Sequence, residues 1–202
     1  DIYFSGQLAL PKDTVHIVRT LFLWRGCAYQ RLDIHNHGNI RIAFSISLAF
    51  DNDFADLFEV RGLHRPRRGK SETVCHPGTG RVEITYEGLD SRRRRSVLAF
   101  EPPPANLQNN IATYRLELAP GERRSVCLRI ECTGEVQGRY RNFVRSMLAA
   151  AHELKSATRQ TATVATSNEI LNQMLCRSAS DLYMLMTQTP QGPYPYARIP
   201  WY

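Results

Sequence analysis

The segment IRIAFSISLAF, residues 40–50, constrains the fold more than any other. Ile40, Ile42, Phe44, Ile46, Leu48 and Phe50 alternate with Arg41, Ala43, Ser45, Ser47 and Ala49. A strict period of two places all the large apolar side chains on one face of a strand and leaves the other face to solvent. Such a strand must lie against a second layer. The flanking segments supply candidates for it. NHGN (36–39) reads as a turn in which Asn and Gly provide positive φ. CAYQRLDIH leads into it as a partner strand, and TVHIVRTLFLW, ending at Arg25-Gly26, makes a third. Together they predict an antiparallel meander.

The alternation continues further on. RVEITYEG puts Val82, Ile84 and Tyr86 on one face, and SVLAFE is a short strand halted by Pro102-Pro103-Pro104. ATYRLELA and RSVCLRIEC flank the turn PGE. Seven or eight antiparallel strands with short turns predict a β-sandwich over residues 1–138. Beyond Gly138 the period changes. RYRNFVRSMLAAAHELKSATRQ lacks Gly and Pro and reads as a helix of roughly five turns, within a linker at 139–162. Thr166-Ser167-Asn168-Glu169 reads as a capping box opening a second helix. That helix carries a buried stripe of Ile170, Leu171, Met174, Leu175, Ala179, Leu182, Leu185 and Met186, and ends near Thr187–Thr189 ahead of Pro190. Strands first and helices afterwards make the fold class α+β. One amphipathic helix cannot bury its own stripe, so 163–202 is expected to be an incomplete second domain.

Charge and cysteine content exclude several functions. Lys plus Arg number 26 against 19 acids, for a net charge of +7, concentrated in RGLHRPRRGK (61–70) and SRRRR (91–95). Aromatics are not interleaved with these basics as single-strand stacking requires, so the clusters read as solvated turns and no nucleic-acid partner is expected. No apolar run approaches the ~20 residues of a membrane helix and no signal peptide opens the chain, so no membrane partner is expected. The five cysteines include no C-x-x-C pair and read as reduced thiols of a cytoplasmic protein.

Few residues carry chemistry. His35 and His37 form an H-x-H pair without a third ligand at motif spacing, so no metal is assigned. FDNDFADLFEVRG (50–62) clusters Asp51, Asp53, Asp56 and Glu59. A calcium loop would need Gly at its sixth position and Glu at its twelfth, where this chain has Asp56 and Gly62. Asp53 and Asp56 could instead cap a short helical turn. HPGTG (76–80) lacks the lysine and the following helix of a phosphate cradle. No cofactor is implied. The last segment, TQTPQGPYPYARIPWY (187–202), is rich in Pro and aromatics. Tyr194, Tyr196, Trp201 and Tyr202 either pack on a neighbouring domain or form a platform for sugar rings.

Three stretches, PKDTVHIVRTLFLWRG…YQRLDIHNHG, FDNDFADLFEVRG…RPRRG and TSNEILNQMLCRSASDLYMLMTQTPQGPYPYARIPWY, resemble the amylo-α-1,6-glucosidase (glycogen-debranching) family of glycoside hydrolases. The resemblance implies a β-rich N-terminal domain followed by a linker helix and the first helix of an (α/α)6 toroid. It implies hydrolysis of α-1,6-glucosidic branch linkages in glycogen-like α-glucans by two carboxylates, one protonating the leaving oxygen and one activating water. Both carboxylates are expected downstream, so the chain alone is expected to be inactive, with the rest of the toroid as its partner. Residues expected to face an α-glucan poly- or oligosaccharide are Glu59, Arg61, Tyr196, Pro200, Trp201 and Tyr202. Family members show YPYAGIPW, with Gly where this chain has Arg198. The alternative is a free-standing carbohydrate-binding or structural β-sandwich module.

Overall fold

The computed structural model describes residues 2–4, 7–132, 142–158 and 164–195. The chain divides into two compact units, Asp1–Phe143 and Val144–Tyr202. The fold is α+β, with eleven strands ahead of the two long helices and a short hairpin after them among the described residues.

The first unit contains β1 (Ile2–Phe4), β2 (Gln7–Leu10), β3 (Val15–Trp24), β4 (Cys27–Asn36), β5 (Ile42–Ala49), the short helix α1 (Leu57–Val60), β6 (Lys70–His76), β7 (Arg81–Glu87), β8 (Arg93–Glu101), β9 (Asn106–Gln108), β10 (Ile111–Leu118) and β11 (Arg123–Glu131). A six-stranded sheet runs β3-β4-β11-β8-β7-β6, and a three-stranded sheet runs β5-β10-β9; every pairing is antiparallel. The sheets meet through the side chains that the period-two pattern selects. Leu32, Ile34 and Val126 of the large sheet pack with Ile42, Tyr114 and Leu118 of the small one. Val82, Ile84, Leu98, Phe100 and Leu128 pack with Leu107 and Ala112. Phe143 closes the unit, edge-on to Phe22 at 5.3 Å between ring centroids, while Phe22 stacks on Tyr29 at 4.8 Å.

Two expected turns prove to be crossings between sheets. The β3–β4 hairpin forms as expected, with Trp24 opposite Cys27 and both turn residues, Arg25 and Gly26, at positive φ. After β4, however, the chain leaves for the other sheet: β4 pairs with β11, and β5 pairs with β10. No residue of NHGN has positive φ. Gly38 is needed for space, since a Cβ there would stand 2.8 Å from Thr14 Cγ2. The turn PGE forms, with Gly121 at φ 74 and Glu122 N–H donating to the Ala119 carbonyl at 3.0 Å, but it too carries the chain from one sheet to the other.

Asn36 holds the two crossings together. It is fully buried. Its Nδ2 donates to the carbonyls of Ile40 (2.8 Å), Leu118 (3.0 Å) and Ala119 (3.1 Å), while its Oδ1 accepts from Gly38 N–H at 2.9 Å. Its own backbone accepts from Gly121 N–H (2.9 Å) and donates to the Glu122 carbonyl (3.0 Å). A polar side chain buried this deeply is stable only because all its groups are engaged.

Other expectations also shift. Strand β6 was not anticipated, because it is an edge strand with few apolar residues and mostly exposed side chains. The cluster SRRRR is only partly a turn: Arg93–Arg95 lie in β8, where Arg95 meets Glu83 at 2.6 Å across the β7–β8 ladder and Arg94 reaches back to Asp90 at 2.8 Å.

The second unit contains α2, which starts at the boundary (Phe143–Thr158), α3 (Glu169–Leu185), and a hairpin of β12 (Met186–Thr189) with β13 (Gly192–Pro195). Helix α3 is capped by Asn168, not by Thr166: Asn168 Oδ1 accepts from Ile170 and Leu171 N–H at 3.0 and 3.2 Å. The Thr166 hydroxyl lies instead 3.0 Å from Asn172 Oδ1. The helix ends at Leu185, before the expected Thr187, because Met186–Thr189 pair as a strand. Its apolar stripe is not buried: Ile170, Met174 and Leu182 are 71%, 62% and 60% exposed. No described helix is long and apolar enough to cross a membrane.

Candidate functional site

The loop from Phe50 to Gly69 follows the most strongly patterned strand and returns the chain to the sheet edge at β6. Its acidic residues are spent largely on building it. Asp51 accepts from Asn52 N–H at 2.8 Å, and Asp53 from Ala55 N–H at 3.1 Å, each stabilising a local turn. Asp56 is the N-cap of α1, accepting from Phe58 and Glu59 N–H, both at 2.9 Å. Glu59 reaches back to Asp56 N–H at 3.1 Å, completing a D-x-x-E capping box. The capping role expected of Asp56 is therefore present, while Asp53 serves the preceding turn.

Arginines clamp the box from the far side of the loop. Arg68 donates through Nε (3.1 Å) and Nη2 (2.7 Å) to Glu59 Oε1, and through Nη1 to the Asp53 carbonyl at 3.3 Å. Arg65 pairs with Asp56 and lies 3.8 Å from Glu59. The Glu59 side chain is consequently only 7% exposed. The basic run is thus a loop up to Gly69, as expected, with Lys70 opening β6, and two of its exposed arginines also clasp the acids. The loop is also pinned to the sheet. Phe54, held at φ 40, stacks on Tyr86 at 5.0 Å, and the Tyr86 hydroxyl accepts from Gly69 N–H at 2.9 Å. Gly69 admits no side chain, since a Cβ would fall 1.9 Å from the Glu87 carbonyl oxygen.

Of the residues expected to face sugar, Glu59 has its carboxylate engaged in this clamp and Arg61 sits exposed at the C-cap of α1. Tyr196, Pro200, Trp201, Tyr202 and the Arg198 position lie outside the described residues. Tyr194, in β13, is 58% exposed. His35 and His37 come together with ring centroids 3.8 Å apart, and His16 joins at 5.9 Å from His37. Among the described residues no cluster of His, Cys, Asp or Glu is arranged to hold a metal ion. All five cysteines are free thiols, and burial pushes Cys27 and Cys127 above the ordinary thiol value. The sequence alone did not mark Arg65 and Arg68 as partners of the acids. The available signal was the D-x-x-E spacing of Asp56 and Glu59, which marks a helix start and hence two fixed carboxylates in need of counter-charges.

No curated protein sequence matches the chain. Among solved structures, a chain described as a kojibiose phosphorylase, from the human microbiome, aligns at a TM-score of 0.41 and 16% identity, covering 85% of this chain and 22% of its own length. A polysaccharide lyase aligns at a TM-score of 0.40 and 11% identity, covering 62% of this chain and 21% of its own. The chain therefore spans about a fifth of the length of either. The family model for the N-terminal domain of (some) glycogen debranching enzymes matches residues 2–129, which include the sandwich and the clamped loop, and the chain belongs to that family.

Proposed function

We propose that this chain supplies the accessory β-domain of a glycoside hydrolase that cleaves α-1,6-glucosidic branch linkages in glycogen-like α-glucans. Its second unit contributes the first helix of the (α/α)6 toroid that carries the chemistry. The observation that carries the reading is the family match over residues 2–129, nearly all of the two-sheet sandwich. The exposed apolar stripe of α3 supports it, since a first toroid helix would bury that stripe against further helices. No residue of this chain is assigned a catalytic role. Asp56 and Glu59 are committed to backbone caps and arginine clasps. The partners are an α-glucan and the remainder of the toroid.

The test is glucose release from a branched limit dextrin, by this chain alone and by the chain joined to a debranching-type toroid. The joined protein is expected to release glucose and the chain alone none. Release by the chain alone overturns the assignment of the carboxylates. A joined protein that spares α-1,6 branches while cutting another linkage overturns the linkage assignment.

A further inference from the structure

The three-stranded sheet is half as wide as the six-stranded one, so its strands cover only part of the large sheet's inner face. Where β5 ends, the two layers part to leave an open cleft of about 720 Å³. That lies within the ~300–1,000 Å³ span of small-ligand clefts. Its floor is apolar, made by Leu32, Leu48, Ile84, Leu98 and Leu128. Its rim is polar on both sides, with complementary roles. On the large sheet, Arg19 donates through Nε and Nη2 to Gln30 Oε1 at 3.0 and 2.7 Å. This fixes the orientation of the Gln30 amide and leaves its Nε2 donor without a bond to any described residue. On the loop side stand Asp51 and Asp53. Each uses Oδ1 for a local backbone N–H, so each Oδ2 acceptor has no partner among the described residues. Phe50, Phe54 and, from β8, Ser96 also line the cleft.

The chemistry of this rim selects among ligands. A wholly apolar ligand would strip water from Gln30, Asp51 and Asp53 and give nothing back. An anion would meet two carboxylates against one guanidinium that is already engaged. A neutral, hydroxyl-rich ring satisfies all of it: hydroxyl protons go to the aspartates, hydroxyl oxygens accept from Gln30, and the C–H faces lie on the apolar floor. We propose that this cleft binds a short glucosyl segment of an α-glucan, holding the polymer on the accessory domain. The choice of an α-glucan rests on the function proposed above; the cleft and its polar complementarity do not.

The experiment is calorimetric titration of the intact chain with maltotriose, isomaltose and cellotriose, alongside retention in glycogen-containing gels. Binding of the α-linked sugars is expected at a Kd on the order of 0.1–1 mM. Gln30→Ala should weaken it at least about fivefold. Ser96→Phe, which fills the cleft from β8, should abolish it, while Arg115→Ala on the exposed side of β10 should leave it unchanged. Melting curves on each variant confirm that the sandwich is intact. Glycogen retention that survives both cleft variants overturns the cleft while leaving the α-glucan reading standing. Cellotriose binding of equal strength, lost in both variants, keeps a saccharide cleft but overturns its α-glucan assignment. No binding of any sugar overturns the proposal, and the limit-dextrin assay then decides the function independently.

Discussion

Asn36→Ala is the most informative single substitution. The side chain is fully buried and its amide donates to three carbonyls and accepts one N–H. Two amide hydrogens are shared over those three acceptors, so the loss amounts to about three net hydrogen bonds at ~1 kcal/mol each. The groups left unsatisfied in a dry site add to this, giving about 3–5 kcal/mol in all. For a unit of this size that corresponds to a fall in Tm of roughly 10–15 °C. Asn36→Asp should be worse, because it removes both donors and points a negative charge at three carbonyl oxygens. The assay is urea unfolding followed by far-UV circular dichroism, with Trp24 fluorescence reporting the β3–β4 hairpin. A loss below about 1 kcal/mol at an unchanged denaturant slope would refute the reasoning, since the crossings would then be held by the backbone alone.

Glu59→Ala removes half of the capping box and the anchor of Arg68, costing about 1 kcal/mol locally; proteolytic cleavage within 61–69 should accelerate, and an unchanged cleavage rate would argue against the clamp. Gly69→Ala should destabilise by about 1–3 kcal/mol, because the new methyl collides with rigid backbone at Glu87; a variant melting with the native protein would contradict this. Acid should destabilise in two stages. Burial, then the neighbouring His37 and Arg123, hold His35 below the ordinary histidine value, so the folded state resists its protonation. The corresponding stability is complete above pH ~6.5 and is lost as pH falls toward the lowered value. For Asp33, burial acts upward but is outweighed by hydrogen bonds from Ser125 and Arg31, and for Asp90 the hydrogen bond from Arg94 dominates; both sit below the usual carboxylate range. Their contribution is present above pH ~4 and disappears below it. His35→Gln should flatten the first stage in a urea-midpoint profile and leave the second.

Much of this protein follows from local pattern. The alternation in 42–48, 82–86 and 112–118 marks which side chains enter the core, because a strand's period fixes its two faces, whereas Ile40, expected on the same face, precedes β5 and is 52% exposed. Ile42, Val82 and Ile84 are buried as that pattern requires. The Arg25-Gly26 turn was legible for the same reason, since a two-residue hairpin demands left-handed backbone locally. The acidic run at 51–59 likewise carried its own capping signal. Pairing did not follow. Whether β5 returns to β4 or leaves for β10 depends on Asn36 finding carbonyls more than eighty residues away, and no window of sequence contains both. The meeting of Arg19 and Gln30 with Asp53 around one cleft is likewise a contact between separate elements, whereas Glu59 and Arg68 lie nine residues apart within one loop. Side-chain periodicity is a property of a segment, whereas partner choice is decided by which buried polar groups can be satisfied at once, and only the assembled sheets determine that.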